Sequence, residues 1–128
     1  MRMKSLPRFG IKIIVCYEDR KWGEDVFLDL LELHKSCRLL RYSKYSERAE
    51  FIDGTIIQLM KSDAEDFYGR KADVVLTQAT IDKKVLEERV RPLATIGRGQ
   101  CWVWYNEKWF HYEDLFPHQI NPVYEEEE

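Results

Sequence analysis

The sequence predicts a three-layer α/β fold, with a mixed sheet between flanking helices and an aromatic β-hairpin at the C-terminal end. Three observations support this fold class. Residues 11–18 and 73–77 are short aliphatic segments typical of strands that are covered on both faces. Each segment is followed by apolar residues at helical spacing. Two aromatic runs around a polar turn, within residues 100–116, complete the pattern with a hairpin.

The composition indicates one globular domain. The chain has 128 residues, of which 45% are hydrophobic and 34% charged, which is typical of folded and not of disordered proteins. No apolar run approaches the ~20 residues that span a bilayer, and the basic start leads into a strand instead of a signal-peptide core. We therefore expect a single cytoplasmic domain over residues 1–128, in the host cytoplasm if the protein is viral. Residues 117–128 would form a C-terminal extension with an acidic tail.

The overall charge and the cysteine usage argue against several classes of protein. The net charge is −3, and the final four glutamates account for more than all of it, so nothing in the overall charge favours nucleic acid. The acidic tail fits a solvated end or a contact with a basic partner. Cys16, Cys37 and Cys101 are odd in number and widely separated, which argues against disulfides and against a zinc knuckle. We expect no metal site.

The first half of the chain predicts a strand, a helix and two more strands. After the strand at 11–18, a polar turn containing Gly23 leads into a helix over residues 24–36. Residues 37–46 read as a strand, and residues 47–62 read as a hairpin. Asp53-Gly54 is the predicted two-residue turn of this hairpin, because glycine tolerates the positive φ that such turns require.

The second half continues with short helices and the last hairpin. Ser62 and Glu65 match a capping box that would open a short helix ending near Gly69. After the strand at 73–77, Asp82 is a plausible N-cap for a helix that Pro92 stops. Residues 106–108 are predicted as a three-residue loop of the terminal hairpin.

The stretch FIDGTIIQLMKSDAEDFYGRKADVVLTQAT, residues 51–80, resembles the middle of the ATPase core of phage terminase large subunits. In that family a hairpin with a turn like Asp53-Gly54-Thr55 precedes a Gly-Arg step, here Gly69-Arg70, and an apolar strand ending Asp-Glu-Ala. Residues 11–34 look like the strand and helix that follow the nucleotide loop. The similarity covers roughly residues 11–92 and implies a P-loop-like scaffold of phage origin.

The groups that would perform ATP hydrolysis are missing. No G-x-x-x-x-G-K-[ST] motif occurs in the chain, and ten residues before the first strand are too few for a strand and loop that carry one. The Asp-Glu pair that ends this strand in the family is replaced here by Thr77 and Gln78, while Ala79 matches the family. Without a phosphate cradle or carboxylates for metal and water, the charge of the transition state cannot be stabilised. We therefore predict a non-enzyme with no catalytic residue and no cofactor.

The terminal hairpin is the strongest candidate for a functional surface. Alternation places Trp102 and Trp104 on one face of their strand, and Val103 and Tyr105 on the other. A two-stranded ribbon buries only one face, so the other would meet a partner protein, a second copy or a base, unless residues 117–124 cover it. The predicted partner-binding residues are Trp102, Trp104, Tyr105, Trp109, Phe110 and Tyr112. The favoured hypothesis is a phage-encoded accessory protein that acts by protein–protein binding.

The alternative hypothesis is nucleic-acid binding or metal-dependent nucleic-acid processing. Four cations, interleaved with Tyr42 and Tyr45, could contact a phosphate backbone: Arg38, Arg41, Lys44 and Arg48. The same alternation is typical of an edge strand that avoids aggregation. Glu18 and Asp19 leave a strand where metal ligands often lie, and Asp82 follows a later strand. A helix cap explains Asp82 better, and a turn explains Glu18 and Asp19 better. The three histidines fit structural or surface positions: His34, His111 and His118.

Overall fold

The computed structural model describes residues 10–44, 47–64, 71–94 and 99–116. In these ranges the strands are β1 (Lys12–Tyr17), β2 (Leu39–Ser43), β3 (Arg48–Phe51), β4 (Ile56–Lys61), β5 (Val74–Gln78), β6 (Gln100–Tyr105) and β7 (Lys108–His111). The helices are α1 (Arg20–Leu33), α2 (Lys83–Val85) and α3 (Tyr112–Leu115). A π-helical turn (Leu86–Val90) and a 3₁₀ turn (Arg91–Leu93) continue α2 without a break.

The described strands form one mixed sheet in the order β2-β3-β4-β1-β5-β6-β7. Strands β4, β1, β5 and β6 are parallel, while β2, β3 and β7 pair antiparallel. Strand β1 lies at the centre, where Val15 is opposite Leu59 on one side and Leu76 on the other. The segments at 11–18, 56–61 and 73–77 therefore lie side by side, and the predicted α/β class is confirmed.

Helices cover both faces of the sheet, which gives the three predicted layers. On one face Ile13 and Val15 of β1 pack with Phe27 of α1. On the other face Ile14 and its neighbours pack against the helical segment that contains Leu86. Successive residues of β1 alternate between the two cores because side chains in a strand point to opposite faces. This double coverage explains why the segment is almost continuously aliphatic.

Helix α1 begins four residues earlier than the sequence predicts. Asp19 is its N-cap, and Oδ1 of Asp19 accepts a hydrogen bond from the Lys21 backbone N–H at 3.0 Å. The predicted polar turn at Gly23 is wrong, since Gly23 lies in the helix and is buried. A Cβ at this position would lie 2.7 Å from Cβ of Tyr17, so glycine allows the helix to approach β1. The helix ends at Leu33, with His34 as its C-cap.

The two hairpin turns differ from the predicted lengths. Lys108 pairs with Tyr105, so the last turn has two residues, Asn106 and Glu107, with φ of 53° and 61°. The β3–β4 loop has three residues, 52–54, because the Phe51 backbone N–H donates to the Thr55 carbonyl at 2.9 Å. Gly54 takes the positive φ of 92°, as the sequence predicted for this glycine.

The remaining connections are described in part. Asp82 caps α2 as predicted, and its Oδ1 accepts a hydrogen bond from the Lys84 backbone N–H at 2.9 Å. The helical segment continues one residue past Pro92, because the last turn is 3₁₀ and has Pro92 at its second position. The predicted helix after Ser62 and the C-terminal extension fall on residues 65–70 and 117–128, outside the described residues. No described helix combines the length and apolar character that a bilayer crossing requires.

Candidate binding groove between helix α1 and the aromatic hairpin

The hairpin of β6 and β7 has the predicted division of faces. Trp104 is opposite Trp109, and Val103 is opposite Phe110. The hairpin is not an isolated ribbon, however, because β6 also pairs in parallel with β5 and extends the sheet. Trp102, Trp104 and Trp109 on one of its faces are only half-buried, so the protein does not fully cover this face. A helical layer on each side of the sheet accounts for aromatic residues on both faces of the hairpin.

The face that carries Val103 packs into the core. Tyr112 is 0% exposed and contacts Phe116 with a ring-centroid distance of 5.0 Å. The Arg91 guanidinium lies 5.9 Å from the centre of the Tyr112 ring. Phe110 is half-buried and packs against Tyr105, which is 54% exposed at the hairpin end. Tyr112, one of the predicted partner-binding residues, is thus a core residue.

The opposite face carries a cluster of tryptophans that also includes one from helix α1. The Trp104 and Trp109 rings are 5.1 Å apart at 64°, and Trp22 lies 6.0 Å from Trp109. Trp22 was not among the predicted site residues, because its proximity to the hairpin depends on the crossing of α1 over the sheet. Trp102 lies apart from this cluster and stacks on His111 with a centroid distance of 3.8 Å.

A groove of about 310 Å³ lies between α1 and this cluster. Its lining comes from three strands and one face of the helix: Trp22, Asp25, Val26, Asp29, Leu30, Leu33, Leu76, Trp104 and Trp109. Asp25 and Asp29 are four residues apart, so they lie on the same side of the helix. Leu33 is 56% exposed, which leaves apolar surface uncovered at one end of the groove.

The two carboxylates differ in their contacts. Asp25 lies 3.5 Å from the ammonium of Lys21, and both side chains are largely exposed. Asp29 makes no ion pair with any residue in the described part of the chain. Aromatic faces next to carboxylates attract organic cations, because the negative π-faces and the charges act on the same ligand. The groove therefore has the chemistry of a site for an ammonium or guanidinium group.

The carboxyl edge of the parallel strands is where ligands usually bind in open α/β sheets. The connections that follow β1 and β5 run to opposite sides, so the crevice lies between these two strands. Gln78 fills this position, and its Oε1 accepts hydrogen bonds from the backbone N–H groups of Glu18 and Asp19 at 2.8 and 3.0 Å. Thr77 is fully buried. Two backbone donors at this edge, those of Glu18 and Asp19, are thus occupied by the Gln78 side chain.

The carboxylates of the nuclease hypothesis serve local structure. Asp19 caps α1 and Asp82 caps α2 through hydrogen bonds to backbone N–H groups. Glu18 is exposed beside them. The structure thus explains Asp19 and Asp82 as caps that stabilise helix N-termini.

The basic residues of the alternative hypothesis lie along β2, which is an edge strand. Arg38, Arg41 and Lys44 are exposed. Arg48 instead lies on β3, where its Nε is 3.1 Å from Oε2 of Glu50. Glu50 is also the cross-strand neighbour of Arg41. A carboxylate therefore interrupts the basic strip, and Tyr45 is outside the described residues.

Comparisons with known proteins give no match. No protein-family model, no curated protein and no solved structure is significantly similar to this chain. The interpretation of the groove therefore depends on its own residues.

Proposed function

We propose that this chain is a non-catalytic, phage-encoded accessory protein that binds a partner protein, and that the groove receives a Lys or Arg side chain of that partner. The observation that supports the proposal most directly is the convergence of three tryptophan rings and two carboxylates on one apolar groove. Trp22, Trp104 and Trp109 supply the rings, and Asp25 and Asp29 supply the charge.

Charge and ring geometry favour a cationic occupant over a neutral one. Elsewhere in the molecule a guanidinium lies over an aromatic ring, as Arg20 does over Tyr17 at 5.8 Å. Among the described residues, none of the three groove tryptophans has a Lys or Arg over its face. A cation–π contact contributes about 0.5–2 kcal/mol, and a carboxylate beside it adds to the attraction. The volume is at the small end for ligand sites, which suits a single side chain.

The non-catalytic and phage-encoded parts of the proposal have separate support. Thr77 and Gln78 stand where the resembled ATPases have acidic residues, and Gln78 is committed to the backbone of Glu18 and Asp19. The phage origin rests on the resemblance of residues 51–80 to terminase large subunits.

A peptide titration tests the groove. Short peptides that differ only in one central Lys, Arg or norleucine are added while tryptophan fluorescence and indole N–H chemical shifts are followed. We expect the Lys or Arg peptide to bind at least about tenfold more tightly than the norleucine peptide. Trp104→Leu and Asp29→Asn should each remove most of this difference. Trp102→Leu is the matched control, because Trp102 lies on the same strand face but outside the groove.

Two results would contradict the proposal. Equal affinities for the Lys and norleucine peptides would exclude recognition of a cation, and equal effects of Trp104→Leu and Trp102→Leu would exclude the groove. Titration with labelled DNA at several salt concentrations tests the alternative directly. Affinity that falls steeply with salt and is lost in Arg41→Ala would favour nucleic acid instead.

A further inference from the structure

We propose that His34, Cys37 and Asp53 form a binding site for one zinc ion. His34 is the C-cap of α1, Cys37 lies in the turn that leads to β2, and Asp53 lies in the β3–β4 loop. The ligand atoms of all three side chains lie within 4.8 Å of one another. The tertiary fold brings them together from two parts of the chain, so sequence spacing gave no signal for the set.

The distances are close to those of a tetrahedral centre. Nε2 of His34 lies 3.2 Å from Oδ2 of Asp53. Zinc bound to a nitrogen and an oxygen at about 2.05 Å each would separate these two atoms by about 3.3 Å. The sulfur of Cys37 would need to lie about 3.6 Å from each of them, so a separation of up to 4.8 Å would have to shorten by at most about 1.2 Å.

His34 has an atom that zinc would satisfy. Its Nε2 is buried and makes no hydrogen bond within the described residues, although Oδ2 of Asp53 is near. A buried nitrogen without a hydrogen-bond partner destabilises the fold. A metal ion between Nε2 of His34 and Oδ2 of Asp53 would give this nitrogen a partner.

The surroundings hold two of the ligands in place. Oδ1 of Asp53 accepts a hydrogen bond from the Thr55 backbone N–H at 2.9 Å, so Oδ2 is the oxygen left to face His34. The His34 ring packs edge-on against Phe51, with centroids 4.5 Å apart. Contacts of this kind orient ligands around protein metal ions and limit the reorganisation that binding requires.

The donor set selects the metal. One imidazole nitrogen, one thiolate and one carboxylate suit zinc, whereas calcium and magnesium prefer oxygen ligands alone. Cys37 also lines a surface depression of about 300 Å³. A water molecule would supply the fourth ligand of the tetrahedron. Binding converts the Cys37 thiol to a thiolate and releases its proton to solvent. The bound ion would join the end of α1, the start of β2 and the β3–β4 loop.

Cobalt and zinc titrations of the metal-free protein test the site. Cobalt bound to a thiolate gives a charge-transfer band in the near ultraviolet, and we expect one cobalt per chain, displaced by zinc. Zinc at about 100 times its dissociation constant should raise the melting temperature by on the order of 10 °C. It should also protect Cys37 from alkylation. The band should be absent in Cys37→Ser, and His34→Gln should weaken zinc binding at least about tenfold.

Asp63→Asn is the matched control, because Asp63 is an exposed carboxylate after β4 and outside the cluster. It should bind zinc as the wild type does. The proposal is overturned if the folded wild type shows neither the band nor a melting shift. It is equally overturned if the band persists in Cys37→Ser. Asp53 also holds its own loop through the Thr55 backbone N–H, so the test uses Cys37→Ser and His34→Gln, with folding checked by circular dichroism.

Discussion

Oε1 of Gln78 accepts a hydrogen bond from the backbone N–H of Glu18 at 2.8 Å, across the crevice between β5 and β1. The same oxygen accepts a second bond, from the Asp19 N–H at 3.0 Å. A side-chain amide thus satisfies the two donors that precede α1. These two hydrogen bonds fix the entry of the helix onto the sheet.

Gln78→Leu should lower the free energy of unfolding by about 1–3 kcal/mol, because two backbone donors lose their acceptor. Gln78→Glu keeps an acceptor near a helix N-terminus and should stay closer to wild type at neutral pH. Urea denaturation of each variant measures the effect. Gln100→Leu is the control at an exposed position on β6, where Oε1 of Gln100 accepts a hydrogen bond from the Trp102 indole N–H, and it should change little because water can replace that bond. Equal losses in Gln78→Leu and Gln78→Glu would show that an acceptor oxygen at this position is not what stabilises the fold.

Gly23→Ala should destabilise the protein, although alanine is favoured over glycine in helices by about 1 kcal/mol. The added Cβ would lie 2.7–2.9 Å from Tyr17 side-chain atoms, so α1 must move away from β1. We expect a net loss of about 1–3 kcal/mol in thermal or chemical denaturation. Lys21→Ala tests helix propensity at an exposed position of the same turn and should be near neutral. A stabilised Gly23→Ala would mean that the helix adjusts freely.

Glu107→Gly should stabilise the hairpin by about 0.5–1 kcal/mol. Glu107 has a φ of 61° at the second position of its two-residue turn, and glycine adopts this conformation without steric cost. The gain should appear as a higher denaturation midpoint with an unchanged slope. Lys108→Gly, one residue later in β7, should have the opposite effect because it weakens a paired strand. A loss of stability in Glu107→Gly would indicate that the carboxylate itself matters.

Stability should fall as the pH rises from about 9 toward 12. Burial raises the pKa of the Cys16 and Cys101 thiols to about 12, from 9.0, and that of the Tyr112 hydroxyl to about 12, from 10.0. These groups stay protonated in the folded state but release protons on unfolding. Their contribution to folding stability is therefore complete below pH 9 and is lost progressively as the pH rises from 9 toward 12.

Urea denaturation at several pH values between about 9 and 12 measures this loss of stability. Cys101→Ala should reduce the slope of unfolding free energy against pH by up to about 1.4 kcal/mol per pH unit, the value for one proton. The variant is compared with wild type at each pH, which removes contributions from other groups. A slope identical to wild type would show that the Cys101 thiol ionises alike in both states.

The fold class could be predicted from local sequence patterns, because these patterns reflect interactions between residues that are close together in the chain. The aliphatic run of β1 and the alternation of Trp102, Val103 and Trp104 reflect the period of a strand, and both are confirmed. The cap at Asp82 and the positive φ of Gly54 also follow from local chemistry. The start of α1 was missed because Gly23 normally favours a turn, while here its close packing on Tyr17 is what matters.

The groove and the metal cluster depend on contacts between distant segments. Trp22 meets Trp109, and His34 meets Asp53, only after α1 has packed on the sheet. Periodicity specifies which residues share a face but not which faces meet. Burial of apolar surface over the whole molecule selects that arrangement, because many contacts far apart in sequence form together.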